Sequence, residues 1–242
     1  MPELLFFLIA FLAEVIGTMA GFGSSTLFIP AALLFFDFPV ALALGAFFHM
    51  FGNAGRLAFF RGRVDRRILL AFGLPSAAFT LAGALLVSLA PQVILKALLG
   101  AFLIFFSAHS LLKPDFAVKA SVRNCAAGGA ITGFLAGLIG AAGALRGAFL
   151  TSFRLEKSTY IATIAAISLT VDFMRVPVYL LSGFVPNDLL YLLPILFAIA
   201  IAGSFAGRKM VGRIDQKTFR KLVLAAIVLA GAKLALDGLG GL

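Results

Sequence analysis

The sequence contains no tryptophan, one cysteine and few charged side chains, and each shortage excludes something. The single cysteine, Cys125, excludes a disulfide within the chain and a metal site built from several thiolates. Only 12% of the 242 residues are charged while 62% are hydrophobic, which excludes a soluble domain because such a domain must cover its core with polar groups. The missing tryptophan weakens the aromatic belt that usually marks membrane surfaces. Lipid must therefore be the solvent for most of this chain.

Motifs of the common enzyme and nucleotide sites are also missing. The sequence has no cluster of metal-ligand residues, no phosphate loop of the Walker type and no nucleophile elbow. The glycine motif at residues 21–23 does not follow a strand, as a dinucleotide fingerprint would. We therefore expect no catalytic residues, no bound metal and no cofactor. A membrane-embedded enzyme or accessory subunit stays an alternative, and its candidate residues are Glu14, His49 and Asp172.

Hydropathy and helix-breaking residues divide the chain into apolar segments that are typical of membrane helices, which need about 20 apolar residues to span a bilayer. Glycine-rich breaks at residues 21–25 and 140–143 each separate a long segment from a short one. The predicted segments are 4–20, 26–36, 39–60, 68–89, 93–112, 125–139, 144–153, 158–181, 189–206 and 219–236. We predict an all-α, polytopic membrane protein.

Lysine and arginine gather in four predicted loops, whereas the loops near Asp37, residues 89–92 and Asp188 carry none. The four basic clusters are Arg61, Arg63, Arg66 and Arg67; Lys113, Lys119 and Arg123; Arg154 and Lys157; and Arg208, Lys209, Arg213, Lys217, Arg220 and Lys221. Because positive loops stay in the cytoplasm, segment 39–60 should run inward and segment 158–181 outward. Both termini are then expected on the outer, periplasmic face of the inner membrane. This topology explains the net charge of +10, so we expect no nucleic-acid partner.

The two halves of the chain also match in their residues. A shift of 119 places Gly21 on Gly140 and Arg56 on Arg175. The same shift places Asp37 on Glu156 and Asn53 on Asp172, and a shift of 124 places Gln92 on Gln216 and Lys96 on Arg220. These matches indicate an internal repeat with a few residues inserted in the second half.

Equivalent segments that run in opposite directions predict two repeats of inverted topology. Each repeat is expected to contain a broken, re-entrant helix pair and three transmembrane helices. Residues 1–113 form the first repeat, 114–122 a cytoplasmic linker and 123–242 the second repeat. This architecture is typical of secondary transporters, whose substrate site lies near the midplane where discontinuous helices meet.

The two glycine breaks are the first candidates for a binding site. Backbone without helical hydrogen bonds survives at membrane depth only where protein buries it or where it lines a polar cavity. The short helix after each break presents free N–H groups and the positive end of its dipole, which attract an anion. Helix packing through small residues is the alternative explanation for the glycines. The predicted substrate contacts at the breaks are Gly21, Gly23, Ser24, Ser25, Thr26, Gly140, Gly143 and Arg146.

Polar side chains within the long segments are the second candidates. His49, Asn53 and Arg56 lie at i, i+4 and i+7, so they share one face of a helix. The matching positions in the second half are Ser168, Asp172 and Arg175. A charge at membrane depth costs about 3 kcal/mol on insertion scales and normally marks a substrate pathway or an ion pair. We predict substrate contacts from His49, Asn53, Arg56 and Arg175.

Several of these residues have a second interpretation. Arg56 lies near a predicted loop and could extend its charge to the membrane surface, and Arg175 could pair with Asp172 three residues before it. Glu14 is either a carboxylate that couples transport to protons or the partner of a buried arginine. His49 either shuttles protons or is a hydrogen-bonded packing residue. Glu14 and Asp172 are therefore candidates for coupling or for ion pairing.

Two stretches of the sequence resemble the signatures of a known family. Residues 18–30 read TMAGFGSSTLFIP and residues 133–143 read GFLAGLIGAAG, each with a glycine-rich break. They resemble the repeated motifs of the TauE/SafE family of sulfite and organosulfonate exporters, the TSUP permeases. Family members often have more glycines where this chain has Ala141 and Ala142. At that break we therefore expect Arg146, more than backbone N–H groups, to bind the anion.

The resemblance implies a secondary transporter that moves a small sulfur-containing anion across the inner membrane. Sulfite, thiosulfate and organosulfonates such as sulfoacetate are the implied substrates. Export is the expected direction and alternating access the expected mechanism, with proton coupling and oligomeric state left open. The expected partners are the small anion and the lipid bilayer. A passive anion channel with the same basic lining is the alternative.

Overall fold

The computed structural model of the chain describes residues 2–21, 23–60, 62–113, 118–211 and 215–239. Over these residues every regular element is a helix. Arg61 and Arg213, which belong to two of the basic clusters, lie outside the described residues, as do positions 114–117 of the predicted linker.

Helices follow one another in the same order in both halves. The first half contains α1 (Pro2–Ala20), α2 (Ser25–Ala32), α3 (Phe38–Phe60), α4 (Arg66–Ile68), α5 (Leu74–Val87) and α6 (Gln92–Leu112). The second half contains α7 (Val122–Ile139), α8 (Gly143–Thr151), α9 (Lys157–Leu181), α10 (Leu192–Met210) and α11 (Gln216–Leu239). A π-helical turn, Leu69–Gly73, joins α4 to α5 in one continuous rod.

Seven helical stretches within the described ranges are long and apolar enough to cross a membrane. They are Glu3–Ala20, Phe38–Phe60, Arg66–Val87, Gln92–Leu112, Val122–Ile139, Lys157–Leu181 and Asn187–Met210. The prediction of an all-α, polytopic membrane protein is thereby confirmed.

The observed helices lie close to the predicted segments, and the differences have local causes. α7 begins three residues earlier than expected because Ser121 caps it, accepting a hydrogen bond from the Asn124 N–H at 3.2 Å. α2 ends at Ala32, before the predicted segment 26–36 ends, because the chain forms a turn directly after it. Gly143, which we expected within the second break, is instead the first residue of α8, so that break comprises residues 140–142.

Helices of one half pack mainly against helices of the other half. α1 packs on α10 and α7 on α5, which are equivalent pairs, whereas α3 packs on α9 and α6 on α11, each against its own counterpart. The two short helices, α2 and α8, also touch each other. This packing is expected of two related halves, and their opposite orientation in the membrane stays a prediction.

Small residues bring α7 almost into backbone contact with the rod formed by α4 and α5. A Cβ atom on Gly129 would lie 2.3 Å from the carbonyl oxygen of Phe72, and one on Gly133 would lie 2.2 Å from that of Ser76. The Ser76 hydroxyl donates a hydrogen bond to the Gly129 carbonyl at 2.9 Å. For these two glycines, close helix packing explains the residue type.

Two apolar grooves on the outside of the bundle occupy equivalent places in the two halves. The first lies between α1, α2 and α11, and the second lies between α7, α8 and α6. Leu12 in the first groove matches Ile131 in the second at the 119-residue shift. Lys233 in the first groove matches His109 in the second at the 124-residue shift. The relation between the halves therefore extends from the sequence to the surface of the bundle.

Candidate functional site

The packing of α3 against α9 brings the two predicted polar faces together in the centre of the bundle. Ten buried polar side chains, each at most 2% exposed, form what we call the polar cluster. Its members are Glu14, Thr18, His49, Asn53, Arg56, Arg146, Ser168, Asp172, Arg175 and Ser204. Hydrogen bonds join eight of them into one network, while Arg146 and Ser168 bond to each other.

Arg56 is held by side chains of the first half. Its Nη2 atom donates to Glu14 Oε1 at 2.6 Å, and its Nε atom donates to the Thr18 hydroxyl at 3.0 Å. Its Nη1 atom donates to Asn53 Oδ1 at 2.5 Å. The Ser204 hydroxyl also donates to Glu14 Oε1, at 2.7 Å. Of the two interpretations of Glu14, the structure contains the ion pair with a buried arginine, and Arg56 does not extend to the surface.

Arg175 forms the predicted pair within its own helix. Its Nη2 and Nε atoms lie 2.7 and 3.0 Å from Asp172 Oδ1. Its Nη1 atom donates to the Ala136 carbonyl at 3.0 Å, and the Gly140 carbonyl lies 3.5 Å away. A cation at this place stabilises the unpaired carbonyls at the C-terminal end of α7. Arg175 therefore ties α9 to the second break.

His49 connects the two polar faces. Its Nδ1 atom lies 3.1 Å from Asp172 Oδ2, and Asn53 donates to the same oxygen at 3.3 Å. Asn53 and Asp172, which match at the 119-residue shift, are thus in direct contact. The other ring nitrogen of His49, Nε2, is buried without a hydrogen-bond partner. It faces the first break, because a Cβ atom on Gly23 would lie 2.5 Å from it.

Arg146 is the one arginine of the polar cluster without an ion pair among the residues that the structure describes. It lies on α8 at 1% exposure, and its Nη1 atom donates to the Ser168 hydroxyl at 2.5 Å. Its Nε atom has no partner. Asp172 attracts it at longer range but makes its short contacts with Arg175 and His49. The cluster therefore contains three guanidinium groups and two carboxylates.

The first break combines left-handed backbone with hydroxyl groups that have no partner. Gly21 has φ +80° and Gly23 has φ +97°, a region that disfavours other residues. Ser24 is the N-cap of α2, but its hydroxyl makes no capping hydrogen bond. The hydroxyls of Ser24 and Thr26 are buried and unpartnered, and Ser25 is buried beside them. These groups can accept or donate hydrogen bonds to a ligand.

The second break has a similar backbone and a different environment. Gly140 has φ +74°, and a Cβ atom there would lie 2.6 Å from Leu42 on α3. Gly21 faces Ile161 on α9, the residue that matches Leu42 at the 119-residue shift. Gly143, predicted to contact substrate, starts α8 and is buried. Each break thus contacts the long central helix of the other half.

Two members of the site environment were not predicted from the sequence. The Ser204 hydroxyl on α10 donates to Glu14 Oε1, and its oxygen also lies 3.1 Å from the Gly52 carbonyl oxygen. Tyr179 on α9 donates to the Gly137 carbonyl at 2.5 Å, beside the second break. A signal for Tyr179 was present, since it lies four residues after Arg175 on the same helix face.

No group of three or more His, Cys, Asp or Glu residues in the described ranges could hold a metal ion. Comparison with protein families gives a match over residues 6–234 to the family described as Sulfite exporter TauE/SafE. Comparisons with curated proteins and with solved structures give no match. The family match covers nearly the whole chain, including both breaks and every member of the polar cluster. The chain therefore belongs to the TauE/SafE family of sulfite exporters, a family of membrane transporters.

Proposed function

We propose that this protein is a secondary transporter that exports a small sulfur-containing anion, such as sulfite, thiosulfate or an organosulfonate, across the inner membrane. The observation that carries the proposal is Arg146, a buried guanidinium with a hydrogen bond to Ser168 and no carboxylate partner in the described chain. An unpaired buried charge is costly, and more so at membrane depth, so an anion is the partner that would offset it.

A guanidinium is suited to a sulfur oxyanion. Its planar set of N–H donors matches two oxygens of a tetrahedral or pyramidal anion, as it does for carboxylates and phosphates. Arg146 has its Nε atom free for such a contact. Ser24, Thr26 and His49 Nε2 would supply the neutral hydrogen bonds. Backbone N–H groups at the starts of α2 and α8 would add to the attraction.

Alternating access would follow from motion between the two halves around the breaks. Arg175 links α9 to the second break, and Arg56 links α3 to α1. In this mechanism the first contact would couple α9 to the second break, and the second would couple α3 to the helix that precedes the first break. In this proposal both termini lie on the periplasmic face, the anion and the lipid bilayer are the partners, and no chemical reaction takes place.

The test is efflux of labelled sulfite from proteoliposomes that contain the purified protein. Arg146→Gln is expected to lower the initial rate by about ten-fold or more, because each 1.4 kcal/mol of lost binding is a factor of ten. Arg146→Lys keeps the charge but loses the planar donors, so its initial rate should lie between those of the wild-type protein and Arg146→Gln. Arg123→Gln removes an exposed arginine of the same half and serves as the matched control.

Several outcomes would contradict the proposal. Wild-type rates in both Arg146→Ala and Arg175→Ala would show that the anion binds elsewhere. Large unitary currents without counter-transport in a planar bilayer would indicate a channel. Chemical conversion of the anion by the detergent-solubilised protein would indicate an enzyme. Melting curves and size-exclusion profiles of every variant separate a binding defect from misfolding.

A further inference from the structure

We propose that the second groove binds an acyl chain of an anionic phospholipid and that basic residues at the end of the groove bind the headgroup of the same lipid. The groove lies between α6, α7 and α8, and its volume of about 440 Å³ is within the range of small-molecule sites, about 300 to 1,000 Å³. Lipid binding at this outer surface of the bundle does not depend on which anion the protein transports.

The wall of the second groove is apolar and rich in aromatic rings. Phe102 and Phe106 lie one turn apart on α6, and their rings stack with centroids 6.0 Å apart. Ile131 on α7 and Phe149 on α8 belong to the same lining. At membrane depth such a wall is covered by hydrocarbon, because water gains nothing from contact with apolar side chains. An acyl chain therefore matches the wall.

The second groove also has the depth of one leaflet. Its α6 side extends from Phe102 to Lys113, which is about 16 Å at a helical rise of about 1.5 Å per residue. Half of a hydrocarbon core of about 30 Å is about 15 Å. Lys113 directly follows α6, a membrane-spanning helix, so it marks the membrane surface. An acyl chain in the groove would place its headgroup beside Lys113.

The polar residues among the described lining of the second groove lie together at this end. They are His109, Ser110 and Lys113. The His109 ring stacks on the Phe105 ring with centroids 6.2 Å apart, and the Lys113 side chain is exposed. An ammonium group and a hydroxyl are suitable ligands for a phosphate group, and basic pockets between membrane helices are typical sites for anionic headgroups.

The loop before α7 adds positive charge at the same end. Val118 belongs to the lining, and its N–H donates to the Ser152 hydroxyl at 2.9 Å. The carbonyl of the next residue, Lys119, accepts a hydrogen bond from the Asn124 side chain at 2.7 Å. These bonds fix the loop beside the groove. From residue 113 to 123 the sequence has three basic residues and one acidic residue, so the net charge complements an anionic headgroup.

The first groove is the equivalent surface with less positive charge. At the 124-residue shift, Leu234 lines the first groove where Ser110 lines the second. The sequence has Asp237 at the position that matches Lys113. Lys233 is the basic residue of the described lining there. We therefore expect the first groove to prefer anionic lipid less than the second groove does.

The absence of tryptophan from the sequence allows a direct test. Phe106→Trp places a single fluorophore in the second groove, and Phe79→Trp places one on an exposed face of α5 as the matched control. Each variant is reconstituted into phosphatidylcholine vesicles with a fixed fraction of dibrominated phosphatidylglycerol or dibrominated phosphatidylcholine, whose bromine atoms quench tryptophan. We expect phosphatidylglycerol to bind about five-fold more tightly than phosphatidylcholine in Phe106→Trp, and about equally in Phe79→Trp.

Charge variants in the Phe106→Trp background test the headgroup contact. Lys113→Gln should lower the preference for phosphatidylglycerol by about two-fold or more. Lys157→Gln removes an exposed lysine of another basic cluster, outside the groove, and should leave the preference unchanged. Equal quenching by the two brominated lipids in Phe106→Trp, or a preference that Lys113→Gln does not alter, would overturn the proposal. Weak quenching by both lipids, as expected if a second copy of the chain covered the groove, would also overturn it.

Native mass spectrometry makes the same comparison without a tryptophan, in case Phe106→Trp does not fold. The wild-type protein and Lys113→Gln are each mixed with equal amounts of phosphatidylglycerol and phosphatidylcholine that have identical acyl chains. We expect the wild-type protein to retain more phosphatidylglycerol than phosphatidylcholine, and Lys113→Gln to retain less of that excess. Equal retention of the two lipids by the wild-type protein would contradict the proposal and leave the proposed function standing.

Discussion

The two glycine breaks have the same backbone device and different chemistry. Both turn at a glycine with positive φ, and each contacts the long central helix of the other half. Arg146 follows the second break, whereas Leu27 occupies the matching position after the first. Conversely, the unpartnered hydroxyls of Ser24 and Thr26 have no polar counterparts at the second break. In the proposed site, one half supplies charge and the other supplies neutral hydrogen bonds.

The two buried ion pairs differ in a similar way. Arg56 reaches from α3 to Glu14 on α1, so this pair joins two helices of the first half. Arg175 pairs with Asp172 on its own helix and uses its remaining donor on the end of α7. The matched arginines thus hold their respective halves together by different contacts. Duplicated halves can keep a common backbone while their side chains acquire separate tasks.

The largest effect on stability is expected from breaking the ion pairs. Glu14→Gln and Asp172→Asn each leave a buried arginine without its carboxylate, which should lower the free energy of unfolding by about 3 to 5 kcal/mol. Each carboxylate also has two further partners, Thr18 and Ser204 for Glu14 and His49 and Asn53 for Asp172, so we expect losses of similar size. Thermal unfolding in detergent measures both variants.

Asp188→Asn, at an exposed position, is the control for the removal of an acidic group. The double variant Glu14→Gln with Arg56→Gln should lose less stability than the sum of its single variants, because no charge is left unpaired. Additive losses would show that the two side chains do not interact. An unfolding midpoint for Asp172→Asn equal to that of the control would show that the pair of Asp172 and Arg175 does not stabilise the fold.

An intermediate effect is expected from the glycine of the first break. In Gly23→Ala the new Cβ would lie 2.5 Å from His49 Nε2 at φ +97°, so we expect a loss of about 3 kcal/mol and of most transport. Gly183→Ala is the matched control, because Gly183 has φ +71° and no heavy atom within 4 Å of the added Cβ. It should cost only about 1 kcal/mol in backbone strain. Equal losses would mean that the contact with His49 has no importance.

The smallest effect is expected from the hydroxyls of the first break. Ser24→Ala and Thr26→Val each remove one neutral hydrogen bond to the proposed anion, so the KM for sulfite should rise by about three-fold to ten-fold. Stability should not fall, because these buried hydroxyls have no partner within the described chain. Ser88→Ala removes an exposed hydroxyl as a control. Unchanged KM values in both variants would show that these two hydroxyls do not contact the anion.

The sequence by itself determined the helices, the breaks and the residues of the polar faces. Apolar segment length, glycine and proline act over a few residues, so hydropathy predicted each long helix to within a few positions. The spacing of His49, Asn53 and Arg56 placed them on one face for the same reason. The repeat was also visible, since the shift of 119 is a property of the sequence alone.

Tertiary structure decided which buried charges are neutralised. Sequence spacing could suggest the pair of Asp172 and Arg175, but Glu14 meets Arg56 across 42 residues and Ser204 across 190. Such partners depend on how α1, α3 and α10 pack, and that packing results from many small contacts between the two halves. For this reason only the folded chain distinguishes Arg146, which has no carboxylate partner among the described residues, from the two arginines that have one.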